Sequence, residues 1–249
     1  MIASSVTGMV LSAMPIGDYD KRLVILTRER GKITAFAKGA RRQNSAFLAC
    51  SQPFSFGEFM VYEGKTSFSV VSAVITNYFD DLKKELESVY YGLYFCELAD
   101  YFSHENMDGT EMLKLLYQSL RALSVDSISK KLIRYIYELK ILVQNGEAPQ
   151  VFQCVKCKKE DGLIYFHSES GGLVCPDCRK TILTNTKYIP VSNSTIYTMQ
   201  YIITSSIEKL YTFTVSDEVM KELKQCMESY CNVYIDRKMK SLEFLEKLI

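Results

Sequence analysis

The chain is predicted to be an α+β protein: a small closed barrel of five strands, then a mainly helical domain that carries an inserted four-cysteine metal module. Three observations predict this. The first eighty residues alternate in strand fashion and are punctuated by Gly-containing turns. From Asp80 onward the apolar period becomes helical. Two Cys-x-x-Cys pairs interrupt the helical part. The expected division is residues 1–79 for the barrel and 80–249 for the helical domain, with the metal module at 150–185.

Strand one is expected at Val6–Leu11, strand two at Arg22–Thr27 and strand three at Gly31–Ala37. Arg28-Glu29-Arg30-Gly31 between the last two is a hairpin turn, with Gly31 available for a positive φ. Phe54–Tyr62 and Ser67–Ile75 supply two more strands, joined by Glu63-Gly64-Lys65. Five short strands in so few residues suggest a closed barrel, and the OB-fold is the commonest such barrel with a nucleic-acid habit. In the helical part, Leu82, Leu86, Val89, Leu93 and Leu98 mark a first helix that Asp80 or Asp81 could cap. Leu113, Leu116, Leu120 and Leu123 mark a second. Ile128, Leu132, Ile136, Leu139 and Val143 mark a third, stopped by Asn145-Gly146 and Pro149. After Pro190, Ile196, Met199, Ile203, Ile207 and Leu210 give a fourth. Val219, Leu223, Met227, Tyr230 and Tyr234 begin a long last helix that ends in basic Arg237-Lys238-Met239-Lys240.

Cys154, Cys157, Cys175 and Cys178 are the sharpest chemical signal. Their two pairs flank a 17-residue spacer, Lys158 to Val174, within the range expected of a four-thiolate zinc site. Each knuckle turns tightly enough to aim two sulfurs at one ion, and four thiolates close a tetrahedron. Such a site has no open position, so zinc would be structural and would not activate water. The rival reading, disulfides or redox pairs, fits less well because neither knuckle follows a βαβ pattern. His167 is a candidate substitute ligand, but Tyr165-Phe166-His167 reads better as a short strand.

Composition gives context. The chain has 249 residues, 47% apolar and 24% charged, the values of an ordinary globular protein. Residues 1–16 lack a basic leader and are broken by Ser, Thr and Gly, so they read as a first strand and not as a signal peptide. Cys50, Cys96, Cys226 and Cys231 lie in apolar surroundings and are expected to be reduced core thiols, which points to the cytoplasm. The net charge is only +1. Between residues 21 and 42, however, Lys21, Arg22, Arg28, Arg30, Lys32, Lys38, Arg41 and Arg42 face the single acid Glu29, a local excess of seven. Such a cluster is an electrostatic footprint for phosphates, although a solvated surface without a partner has the same composition. Tyr19, Phe36 and Phe47 could stack bases; Phe36, in an apolar alternation, is expected to be buried. No dinucleotide or phosphate-loop fingerprint and no Gly-x-Ser-x-Gly elbow is present, and His104 and His167 are the only histidines. Nothing assembles an active site, so a non-enzyme is expected.

Several runs carry a family resemblance: Thr7-Gly8-Met9-Val10-Leu11, Gly17–Leu23, Leu26–Lys32, Ala37–Arg42 and Ser51-Gln52-Pro53-Phe54 at the N-terminus and, farther on, Arg134–Leu142, the Gly171–Cys175 run and Met239–Leu245. Together and in this order they resemble the RecO family of bacterial DNA repair proteins. Where the family commonly continues with Pro and further basic residues after Arg41-Arg42, Gln43–Cys50 is nearly neutral. The resemblance implies an OB-fold and a helical domain with a zinc module. It also implies a non-enzymatic recombination mediator that binds single- and double-stranded DNA and engages the acidic C-terminal tail of the single-stranded-DNA-binding protein SSB. Such a protein anneals complementary strands and, with RecR, assists RecA loading. An acidic, apolar tail needs an apolar groove with a cation at its end; Lys130, Lys131 and Arg134 are the candidates. Two other classes compete. One is a protein-interaction adaptor with a structural zinc module and no DNA affinity; the other is a zinc-dependent nucleic-acid enzyme.

Overall fold

Strand β1 spans Ala3–Ile16 and serves two neighbours. Its first half pairs antiparallel with β4 (Phe56–Glu63) and its second half with β2 (Asp20–Thr27), around a register shift between Val10 and Ser12. The extra residue bends the strand and raises its twist, which lets one long strand close two sides of a barrel. β2 pairs with β3 (Gly31–Ala37) through the predicted tight turn, where Gly31 adopts φ +61°. A Cβ at Gly31 would lie 2.2 Å from the carbonyl oxygen of His104, so glycine is required there twice over. β4 pairs with β5 (Phe68–Asn77), and a short parallel contact between β3 and β5 completes the closed order β1-β2-β3-β5-β4. The chain is described by a computed structural model over residues 3–181 and 186–248.

Val6, Val10, Leu23, Ile25, Ile33, Ala35, Phe59 and Val61 fill the barrel. Phe47, on the four-residue helix α1 (Phe47–Cys50), packs against that core. Phe36 is not buried. The inward positions of β3 are Ile33, Ala35 and Ala37, so Phe36 falls on the outer face, opposite Arg22 on β2. The period of two decides this over the hydrophobicity of the residue.

The helices are α2 (Leu86–Phe102), α3 (Thr110–Leu123), α4 (Lys130–Gln144), α5 (Pro176–Arg179), α6 (Asn193–Thr204), α7 (Asp217–Tyr234) and α8 (Lys240–Leu248). Asp80 and Asp81 precede a 3₁₀ turn at Leu82–Lys84 and do not cap α2. α2 instead turns Tyr91, Phe95, Leu98 and Ala99 inward and leaves Leu86 exposed. Ser192 and Ser216 cap α6 and α7 by accepting from the backbone N–H groups of Thr195 and Val219. α6 stops at Thr204, short of the predicted Leu210, and the predicted long last helix is two: α7 ends at Tyr234 and α8 begins at Lys240. Glu97 of α2 accepts from the backbone N–H groups of Lys240 and Ser241 and so starts α8.

Packing groups the chain into two units. One runs through Val125 and takes in the chain from Met239 onward; the other is Asp126–Lys238. In the second, α4 contacts α6 and α7. Its residues Leu132 to Leu142 are all buried, including Arg134, Glu138 and Lys140. Lys140 donates from Nζ to the carbonyl oxygens of Ile202, Ile203 and Ser205, closing the C-terminal end of α6 with a cation.

Candidate metal centre and nucleic-acid interface

The four cysteines come together as their spacing predicts. Their sulfurs lie within 4.8 Å of one another, and Cys157 Sγ is 3.7 Å from Cys175 Sγ. A tetrahedron of thiolates at about 2.3 Å from zinc has sulfur–sulfur edges of about 3.8 Å, so the set fits a four-coordinate thiolate site. The backbone builds each half. Cys154 N–H donates to Lys159 O and Lys158 N–H to Cys154 O, with Lys158 at φ +63°. Pro176 opens α5, which carries Cys178. Lys156 Nζ donates to Thr181 Oγ1, which in turn donates to the Cys178 carbonyl and so ties one knuckle to the other.

Between the knuckles, the expected short strand is β6 (Tyr165–His167), and it forms a hairpin with β7 (Gly172–Val174), which was not expected. A third strand, β8 (Ile189–Pro190), pairs with β6. Gly172 lies at φ +150° with its Cα against Gln150, where a Cβ would be 2.2 Å from the carbonyl oxygen. Residues 182–185, the end of the expected module, lie outside the described residues.

The electrostatics suit metal binding. Burial pushes the Cys154 thiol up, but the backbone N–H groups of Cys157, Cys175 and Lys156 more than offset it, and the thiol falls to about 6. Cys178 is pushed up to about 12 by burial and by sharing protons with the other three sulfurs. A divalent cation would supply the positive charge that holds the raised Cys178 as a thiolate beside Cys154. His167 lies outside the cluster. It is buried in β6, its Nδ1 bonded to Ser170 and its ring stacked 4.5 Å from that of Tyr188. The Arg179 guanidinium, next to Cys178, covers the Tyr165 ring at 4.3 Å and so locks the second knuckle to the sheet.

The eight cations of residues 21–42 do not form one cluster. The β2–β3 ladder pairs Lys21 with Ala37 at one end and Thr27 with Gly31 at the other, about 20 Å away along the strands. Arg28, Arg30 and Lys32 therefore lie at the turn, where acids meet them. Arg28 pairs with Glu29 at 2.8 Å, Arg30 with Glu63 at 3.0 Å and Lys32 with Asp100 at 3.1 Å. Lys21, Arg22, Lys38, Arg41 and Arg42 gather at the opposite end of the ladder. There the loop after β3 is held to the β1–β2 turn: Arg41 N–H donates to Tyr19 O, and Gly39 N–H to Asp20 Oδ1. Lys21 Nζ is spent on Ser51, donating to its carbonyl and hydroxyl. Arg22 lies against Met14 Sδ, Arg41 reaches the Gly17 carbonyl, and Arg42 lies 5.2 Å from the Tyr19 ring centre. Among the described residues, no carboxylate is within ion-pair distance of Arg22, Lys38, Arg41 or Arg42.

Of the α4 candidates, Arg134 is only 8% exposed and its Nε pairs with Glu138 at 2.7 Å, so it is committed inside the fold. Lys131 is exposed and Lys130 half-buried. Helical spacing alone could not separate these, because α4 is buried on all its faces beyond its first turn.

Comparison with known proteins covers nearly the whole chain. Residues 1–79 match the family described as Recombination protein O N terminal, and residues 83–243 match Recombination protein O C terminal. The chain is 30% identical to the DNA repair protein RecO of Caldicellulosiruptor saccharolyticus over 240 residues, 96% of each chain. It is 29% identical to the DNA repair protein RecO of Alkaliphilus metalliredigens over 243 residues, 97% of this chain and 98% of that one. With the protein of that description from Acetivibrio thermocellus it shares 29% identity over 245 residues.

Proposed function

The chain belongs to the RecO family of DNA repair proteins, and on that premise we propose that it is a non-enzymatic recombination mediator. It binds DNA through the basic end of its barrel, anneals complementary strands coated with SSB and, with RecR, assists RecA loading. The observation that carries this reading is the set Arg22, Lys38, Arg41 and Arg42, four cations with no carboxylate partner among the described residues, on one end of a closed five-stranded barrel. Annealing brings two polyanions together, and its main physical requirement is to offset phosphate repulsion. Phosphate contacts carry no base information, so binding is independent of sequence. The cysteine set holds zinc, which keeps the two knuckles folded and takes no part in the annealing itself.

Titration of a labelled single strand at several salt concentrations tests the reading. Affinity should fall steeply with salt; a folded, metal-loaded protein without measurable DNA affinity would favour the protein-interaction adaptor. For the SSB tail, Arg134 is occupied by Glu138, which leaves Lys131 as the exposed cation of α4. A hollow of about 330 Å³ lined by Phe56, Leu113 and Tyr117 together with Arg28 and Lys114 is a second seat with the required chemistry. Lys131→Glu and Lys114→Glu distinguish the two, since only the variant at the true seat should lose binding of a tail peptide.

A further inference from the structure

The cations at the barrel end lie beside a patch of exposed apolar side chains whose one acid is the exposed Asp18. Met14 and Ile16 end β1 and Tyr19 lies in the turn before β2; they are 53%, 43% and 54% exposed. A single exposed apolar residue is ordinary in a soluble protein. Here three come from one six-residue hairpin tip, and the cations lie against them and not on acids. Arg22 Nη2 is 3.4 Å from Met14 Sδ, and the Arg42 guanidinium covers the Tyr19 ring. Phe36 extends the apolar surface on the outer face of β3, directly across the ladder from Arg22.

A partner that satisfies this tip must be polyanionic and must also present flat apolar surface between its charges. Single-stranded nucleic acid does both, since its phosphates suit the arginines and its unstacked bases suit an aromatic ring. A duplex has the same phosphates but keeps its base faces in the stack, so it engages the cations and not the apolar groups. We infer that the β1–β2 hairpin tip, through Tyr19 with Ile16 and Met14, is a base-stacking platform that makes the protein prefer single strands. This rests on the proposed DNA binding and adds the origin of strand preference to it. In annealing, such a platform holds bases exposed for pairing and releases them once they enter a duplex.

The test uses the full chain and one labelled oligonucleotide in three forms: single-stranded, as its duplex, and as a sugar–phosphate oligomer without bases. Tyr19→Ala should weaken single-strand binding about tenfold, within the range of aromatic stacking on one base. Duplex affinity should stay within about twofold, and the salt dependence should not change. Tyr19→Phe should restore single-strand affinity, and the abasic oligomer should bind wild type and Tyr19→Ala alike. Equal loss on single strand and duplex, or loss on neither, would overturn the platform while leaving the DNA-binding reading standing. Loss of binding to anionic lipid vesicles with DNA affinity unchanged would overturn it in favour of a membrane surface. Failure of the wild-type protein to bind any of the three DNA forms would overturn both readings.

Discussion

The division of the basic segment into two ends makes a quantitative prediction about DNA affinity. Lys38→Ala/Arg41→Ala/Arg42→Ala removes three cations that form no ion pair among the described residues. Each lost phosphate contact flattens the dependence of log K on log salt for single strands by about 0.7, so the triple variant should lose about 2 in slope. At 0.1 M salt that corresponds to roughly 100-fold weaker binding, or ~2.8 kcal/mol. The proper control is at the other end of the same hairpin. Removing Arg28, Arg30 and Lys32 alone would leave Glu29, Glu63 and Asp100 bare and repel DNA for a trivial reason. Neutralising both members of each pair, with Gln or Asn at all six positions, keeps the local charge constant. These partly exposed pairs stabilise the fold by at most about 1 kcal/mol each, so the control protein should stay folded. Fluorescence anisotropy at four salt concentrations should show a control within about threefold of wild type with an unchanged slope. If the control lost as much affinity and slope as the triple variant, the assignment of the interface to one end would be wrong.

Three further predictions concern the fold that supports the site. One zinc per chain should be found by metal analysis, and chelation or Cys154→Ser should lower the melting temperature and expose the 150–181 segment to protease; a fully stable metal-free protein would refute the structural role. Lys140→Met should cost about 3 kcal/mol in denaturant unfolding, because three carbonyls at the end of α6 lose a charged donor within a buried environment, and a cost under about 0.5 kcal/mol would contradict it. Burial alone would raise the Glu222 carboxyl, but the Ser192 backbone N–H and the hydroxyls of Thr195 and Ser192 outweigh it and hold the group below its ordinary value of 4.5. A depressed carboxyl contributes stability above that value and loses it as pH falls further, so Glu222→Gln should be the less stable protein at pH 7, and its deficit in melts should shrink as the pH is lowered below 4.5.

Much of this was legible in the sequence, and the misses have physical causes. Four of the five barrel strands lie within about two residues of their expected bounds, because alternation and Gly-marked turns act locally; β1 runs Ala3–Ile16, well beyond the expected Val6–Leu11, because the bulge after Val10 breaks its alternation. The four cysteines were legible because metal-ligand spacing is a local geometric requirement. Hydrophobicity alone puts Phe36 in the core, whereas the register fixed by Ile33, Ala35 and Ala37 turns it outward. The cations of residues 21–42 looked like one cluster because the chain order is linear, whereas a hairpin carries Lys21 and Arg28 to opposite ends. Their acid partners Glu63 and Asp100 are remote in sequence, so no local pattern could have shown that Arg30 and Lys32 are paired. Arg134 looked like a surface cation by composition; its burial depends on the packing of α6 and α7 around α4. β8, two residues with one proline, carries no readable period at all.

Strand annealing is the activity that most directly separates a mediator from an adaptor. Two complementary oligonucleotides should be coated with the cognate SSB, either intact or lacking its C-terminal tail, and the rate of duplex formation followed with the full-length protein. Acceleration with intact SSB that is lost with the tail-deleted form is the predicted result. No acceleration with either form, from a protein shown to be folded and zinc-loaded, would contradict the mediator reading and favour the adaptor.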